Sequence, residues 1–519
     1  MTRYKNIRQL QRILFMQRVI VSLLVLRYIH LLAVQKSSEN RTKMIMPDGK
    51  VIIYKYDSNN RLIQLISDAG IFVFAYDSLG RRTKLTLPNG THTTYSYDTN
   101  SRLTELVHKN SNGSVIDSFA YTHDNIGNRL TKTELNKKTT YTYDPLYRLT
   151  QALPTKLKGK YKEQENKAEI FSYDPVGNRL TSDHNRTYTY NAGNQLVIEN
   201  GISYTYDKNG NLISKTSSEG TTTHVYDFEN RLIKVATPNG TIAEFKYDPF
   251  GRRIEKKITE NGITTTKRYF YDNEDILFEY DEQGNIGNRY IHGLGIDEPL
   301  ALNNNQGTYY YHVDGLGSVV ALTDSNQKVV QDYQYDSFGN LKDQKERIKQ
   351  PYTFTAREWD KEIGLYYYRA RYYDAGLGRF ISFDPILHPA NGSPKCRHIG
   401  SFKIPSFNSL LKNPQTLNPY NYTEQNPSNM VDPYGLMAPK PPTPSLGDFI
   451  PPTKLPCGKT ADQYCGQEYI KKRNECALKP DVLKGCLQKA ERWFVQCQTW
   501  ANGIIYREIP CPPQDCKDK

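Results

Sequence analysis

The sequence predicts a mostly β protein, thin and extended, with polar faces in place of one thick core. Three observations carry this. A Tyr-Asp unit followed by Arg-Leu or Arg-Arg recurs along the middle of the chain, mostly at steps of 16–24 residues. The 519 residues include 40 Tyr against 18 Phe and 3 Trp, and tyrosine favours strands while keeping a polar handle on an apolar body. Apolar residues make up only 37%, below the ~45–50% of ordinary globular domains, yet so many aromatics argue against disorder.

The formal charge of +13 suggests an anionic partner until it is located. Residues 1–46 carry nine Lys/Arg against one acid, residues 437–519 thirteen against nine, and the middle of the chain forty-six against forty-five. Charge therefore excludes the repeat region as a nucleic-acid surface.

Residues 1–46 form a basic, apolar segment. Its stretch 13–34 is broken by Gln17, Arg18, Arg27 and His30, so the longest clean run is Val19 to Leu26, short of a membrane span. Basic residues precede it as in a signal peptide, but Leu32-Ala33-Val34 is a poor cleavage site. The open readings are a targeting or membrane-associating segment, an interfacial or partner-binding helix, and a start placed upstream of a truncated gene.

Residues 47–290 hold the repeats. Tyr56-Asp57 with Arg61-Leu62 returns as Tyr76-Asp77 with Gly80-Arg81-Arg82, as Tyr97-Asp98 with Arg102-Leu103, and as Tyr143-Asp144 with Arg148-Leu149. Later copies start at Tyr173, Tyr206, Tyr226 and Tyr247, degenerate ones at Tyr121 and Tyr190. The alternation Thr140-Tyr141-Thr142-Tyr143 predicts a strand. The Asp then opens a turn through its side chain, and Gly or Asn supplies positive φ. Pro-Asn-Gly at 88–90 and 238–240 marks the opposite turns. Each unit is thus a hairpin of about twenty residues, marginal alone and stabilised by sharing edges with its neighbours.

These residues resemble the YD repeats of Rhs proteins, of Tc toxin C components and of teneurins. The likeness extends into residues 291–436, which resemble the Rhs repeat-associated core. Tyr311-His312-Val313-Asp314-Gly315-Leu316-Gly317-Ser318 is similar to its start, and Gly364 to Asp374 followed by Gly378-Arg379-Phe380-Ile381-Ser382 to its centre. Asn418-Pro419-Tyr420-Asn421-Tyr422, Asn426-Pro427 and Asp432-Pro433-Tyr434-Gly435-Leu436 are similar to its end.

The resemblance implies a hollow β shell, plugged by the core, that holds a variable C-terminal segment released by self-cleavage. With about ten repeats, a partial, curved sheet or a truncated gene product is expected, unless an upstream protein completes the shell. It implies a catalytic aspartate pair at Asp384 and Asp432, Arg379 nearby to position or stabilise charge, and a cut between Leu436 and Met437. The chemistry would be that of aspartic proteases: two carboxyls sharing one proton, one activating water and the other polarising the carbonyl. Two departures stand out: Ile386-Leu387 follows Asp384-Pro385 where a Gly is usual, and the aspartates lie 48 residues apart. The alternative is that both Asp simply open turns.

Composition changes at Leu436. Residues 437–456 read as a Pro-rich linker, and 457–519 hold seven of the eight Cys. Cys465 to Cys476 and Cys486 to Cys497 are each eleven residues, so each pair lies on one helix face. This predicts a small disulfide-rich α-hairpin, helices 462–478 and 481–500, bridged Cys465–Cys497 and Cys476–Cys486. A zinc site is the rival, but thiolates eleven apart lack the short ligand spacing and the segment has no His. No cofactor is expected.

Two function classes follow. One is a secreted or surface toxin-delivery protein whose own C-terminal segment is the cargo, served by a secretion-system component and countered by an immunity protein. The other is a YD-repeat adhesion or binding protein with a structural disulfide tail and no cleavage.

Overall fold

The computed structural model describes residues 40–157, 167–182, 186–344, 347–387 and 414–436, with the backbone of the short strands Ala33–Gln35, His398–Ile399 and Phe402–Lys403. Among these residues the regular structure is β strand with a few single 3₁₀ turns. Met437 and the expected cysteine-bridged hairpin, with Cys465–Cys497 and Cys476–Cys486, lie outside the described residues.

Two long antiparallel sheets account for most of the chain. A thirteen-stranded sheet runs from Ala33–Gln35 to Glu169–Ile170, and an eighteen-stranded one from Ser172–Tyr173 to Leu341–Gln344. Every strand pairs with its neighbours in the chain, as a row of hairpins requires, and neither sheet closes on itself. In Lys137–Tyr143, Thr139 and Tyr141 are buried while Thr140 and Thr142 are exposed, which is the predicted period of two.

The repeat motif does more than turn the chain. Asp77 Oδ1 accepts the N–H of Leu79 at 3.0 Å and of Arg81 at 2.9 Å, while Arg81 Nε bonds Asp77 Oδ2 at 2.6 Å. Arg81 Nη1 then reaches the carbonyl of Asp98, the next turn along, at 3.1 Å. Arg61 does the same to Asp77, and Arg231 to Asp248. Tyr76 donates its hydroxyl to Leu62 O at 2.8 Å, and Tyr247 to Leu232 O at 2.6 Å. Each Arg also lies over the next repeat's Tyr, as Arg81 does over Tyr97 at 4.8 Å. Asp, Arg and Tyr therefore weld successive hairpins along one rim of the sheet. The left-handed turn position falls to Gly80 (φ 82°) and Asn60 (φ 60°), but also to Tyr147 (φ 63°), where the Asp144 and Arg148 bonds hold an unfavoured conformation.

Asp77→Ala removes the acceptor of two backbone N–H groups and the Arg81 ion pair together. Urea denaturation is expected to show a loss of about 1–3 kcal/mol. Burial alone would raise the carboxyls of Asp57, Asp77, Asp98 and Asp124, but the turn N–H groups and the Arg or Asn side chain outweigh it and hold all four below their ordinary range. Depressed carboxyls stabilise the fold above the unfolded value and lose that contribution as pH falls. Thermal melts are expected to drop steadily as pH is lowered below about 4.

The first strands of the thirteen-stranded sheet pack against strands far along the other. Met46, Ile52, Leu65, Phe72 and Phe74 of the first sheet share one apolar core with Phe278, Ile291 and Ala301 of the second. Tyr310 donates to Ala69 O at 3.0 Å, and Arg289 pairs with Asp48 and Asp68. Large apolar residues on this side of the first sheet meet a matching apolar side of the second.

A four-stranded sheet, Glu358–Asp360, Leu365–Tyr368, Arg371–Asp374 and Arg379–Phe380, forms the core that carries the expected site. One of its faces packs Leu365, Tyr367 and Tyr372 onto Leu232, Phe245 and Ile258 of the wall. Arg253 of the wall, fully buried, pairs with Glu358 at 2.6 Å and with Asp360, and Lys256 pairs with Asp360 at 2.8 Å. Residues 414–436 then cross the repeat turns as a strap. Asn418 Nδ2 donates to Asn178 Oδ1 at 2.7 Å, Tyr420 to Gly210 O at 2.9 Å, and the Arg129 N–H to Asn429 Oδ1 at 2.7 Å.

Candidate active site

The core strands bring Asp384 and Asp432 to one guanidinium. Arg371 Nη2 lies 2.8 Å from Asp384 Oδ2 and 3.6 Å from Asp432 Oδ2. All three side chains are essentially shut off from solvent, at 1%, 0% and 5% exposure. Each aspartate also opens a turn. Asp384 Oδ1 accepts Ile386 N–H at 2.8 Å, and Asp432 Oδ1 accepts Leu436 N–H at 3.0 Å. Each aspartate thus opens a turn with one oxygen and faces Arg371 with the other.

Arg371 is anchored from every side. Nε donates to Gly435 O, Nη1 donates to Pro419 O at 2.8 Å, and the guanidinium sits 3.6 Å from the Phe380 ring centre. Burial pushes its pKa down, against the two carboxylates. Burial pushes Asp432 up to about 7; Arg371 and the Leu436 N–H oppose this, and the Asp384 charge adds to it. A carboxyl protonated near neutrality beside a second carboxyl is the arrangement an acid–base pair needs.

The Asp432-Pro433-Tyr434-Gly435 turn is clamped by the preceding hairpin. Ala370 N–H donates to Tyr434 O at 3.2 Å, and Arg369 donates to Pro433 O while pairing with Asp297 at 2.7 Å. Gly435 has φ 63°, and a Cβ there would stand 2.2 Å from Tyr368 O, so only glycine fits. Leu436 is buried beside this clamp, at 4% exposure.

Arg379 is placed elsewhere. Its Nη2 donates to Asn194 O at 2.6 Å, and its guanidinium lies over the Tyr190 and Tyr420 rings, so it ties the core to the wall. The arginine on the aspartates is Arg371, which the motif reading passed over. Its signal was an Arg amid Tyr366-Tyr367-Tyr368 and Tyr372-Tyr373, since a cation in so apolar a strand needs buried acids. Among the described residues no group of three His, Cys, Asp or Glu is set to hold a metal ion, and no helix is long and apolar enough to cross a membrane.

The family model described as Teneurin YD-shell matches residues 128–427, more than half of the chain. The chain belongs to the YD-shell family. The RHS Repeat model matches residues 76–115 of this YD-shell protein. The chain is 33% identical over 230 residues to the tRNA3(Ser)-specific nuclease WapA of Bacillus spizizenii, covering 41% of the chain and 9% of the relative. It is 28% identical over 351 residues to double-stranded DNA deaminase toxin A of Burkholderia cenocepacia, covering 61% and 22%. Among solved structures, the Photorhabdus luminescens Tc holotoxin pore shares the fold at a TM-score of 0.60 and 17% identity, over 80% of this chain and 22% of that one. This YD-shell protein is thus similar to toxins and toxin components, and spans about a fifth or less of the length of each.

Proposed function

We propose that this YD-shell protein is the closing part of a toxin-delivery shell, which frees its own C-terminal segment by cutting the chain between Leu436 and Met437. The observation that carries the reading is the aspartate pair on one buried guanidinium, with Asp432 raised to about 7. In the reaction, Asp384, the closer partner of Arg371, is the carboxylate that takes a proton from water. Asp432 is the acid that polarises the Leu436 carbonyl and then protonates the departing nitrogen. Residues 437–519 are the cargo. A shell-completing partner belongs to this reading, since a solved structure that shares the fold is a complex of TcdB2 with TccC3. The setting would be secreted or at the cell surface, with a secretion component upstream and an immunity protein for the producer.

Mass spectrometry of the purified protein tests the cut: a fragment beginning at Met437 is expected, and an intact chain refutes it. Cleavage is expected to be fast below pH 7 and to fall as pH rises through about 7, where Asp432 loses the proton it must donate. Expression of 437–519 alone is expected to arrest bacterial growth. Harmless expression, with an uncut chain, favours the adhesion protein instead.

A further inference from the structure

The Asp-led turns along the rim end in one of two kinds of side chain. Arg61, Arg81, Arg102, Arg148, Arg231 and Arg252 each pair with the Asp of their own turn and donate to the backbone of the next turn. Asn128 and Asn178 hold that place in the turns opened by Asp124 and Asp174. Each gives an amide N–H to its Asp, at 2.9 and 2.8 Å, much as the arginine does. The amide oxygen then faces the strap. Asn426 Nδ2 donates to Asn128 Oδ1 at 3.2 Å, and Asn418 Nδ2 to Asn178 Oδ1 at 2.7 Å.

The polarity of both bonds is fixed from both sides. An ionised carboxylate only accepts, so each wall asparagine must turn its amide N–H toward the Asp and its oxygen away. On the strap, Asn418 Oδ1 accepts the Tyr420 N–H at 3.1 Å, and Asn426 Oδ1 accepts the Ser428 hydroxyl at 3.2 Å and Asn429 Nδ2 at 2.6 Å. Their amide groups are thereby left to donate to the wall. An arginine at 128 or 178 has five donors and no acceptor, and could not receive them. Asn128, Asn178, Asn418 and Asn426 are all buried, so a bond left unmade there is costly. The turn between the two, closed by Arg148, is met through its backbone instead, with Gln415 Nε2 donating to Leu146 O at 2.9 Å. Asn285 also ends an Asp-led turn, but an exposed one.

We propose that Asn128 and Asn178 are the docking points at which the wall recognises the strap, and that they seat it on Arg371. Pro419 follows Asn418 directly, and its carbonyl accepts Arg371 Nη1 at 2.8 Å. Asp432 reaches the same guanidinium on the same strap. Exchanging the repeat's arginine for asparagine thus converts a side chain that joins wall to wall into one that joins wall to strap. The inference concerns how the aspartate site is assembled. It holds for a cut or an uncut chain, because 414–436 stays on the N-terminal side of the proposed cut.

Hydrogen exchange of the full chain, read by mass spectrometry over residues 414–436, tests this. Asn178→Arg restores the commoner turn motif, so the wall should stay protected while the strap exchanges about tenfold faster or more, having lost its acceptor. Asn418→Asp should open the strap equally from the other side. It keeps the oxygen that accepts the Tyr420 N–H, but sets a second oxygen against Asn178 Oδ1. Asn285→Arg, the same exchange in an exposed turn, should leave the strap as protected as in the wild type. A strap unchanged in Asn178→Arg or in Asn418→Asp overturns the inference, and so does a strap opened as far by Asn285→Arg. If Asn178→Arg loosens the wall too, Asn418→Asp decides, since it leaves the wall's own sequence intact. Absence of a fragment beginning at Met437 refutes the cut and leaves the docking points standing.

Discussion

Asp432→Asn is expected to leave the chain whole at 59.8 kDa, with no fragment starting at Met437. The substitution keeps the shape of the side chain and an oxygen to accept the Leu436 N–H. What it removes is the proton that the scissile nitrogen must receive. General acid–base groups contribute roughly 10²–10⁴-fold, so cleavage should become invisible over hours. Asp384→Asn should match it, since the two carboxyls act as one unit on Arg371. A melt close to that of the wild type would show that chemistry was lost and the fold kept. Continued cleavage by either variant would remove the aspartates from the mechanism.

Arg253→Ala is expected to produce the largest loss of stability, about 3–5 kcal/mol in urea denaturation, because it strands buried acids. Glu358 and Asp360 both face this one guanidinium at 4% and 2% exposure, and Lys256 can answer only Asp360. The ring stacks are lost as well, for Arg253 lies 4.4 Å from the Tyr367 centre and 5.3 Å from that of Phe245. Arg253→Lys should recover part of the loss, since an ammonium can meet one carboxylate but not bridge two. The same contact fastens the core to the wall, so the variant should also expose the core to proteolysis. A variant as stable as the wild type would show that the two parts hold together without it.

Much of this was legible along the chain. The hairpin step, the strand alternation and the Asp-led turns follow from bonds within about five residues, and composition and spacing report those directly. Asp384 and Asp432 were legible too, through their Asp-Pro motifs. Their shared arginine was not, for Arg371 meets them only after the strap 414–436 has folded back across the core. Arg379 looked equivalent in the motif and went to the wall, because its strand pairs through Asp374 and its side chain reaches Asn194. Which distant strands the first sheet packs against was hidden for a similar reason. Repeat spacing specifies neighbours in the sheet and is silent about which distant face will cover the apolar side.

The sequence alone determined the β architecture, the order of the hairpins and the neutral charge of the wall, because these arise from local turn chemistry and side-chain period. The tertiary structure alone decided which arginine meets the aspartates, which acids Arg253 holds, and where the two sheets share a core. Those contacts join residues from 13 to more than 200 positions apart, and burial, which gives them their strength and shifts Asp432, exists only once the chain has folded.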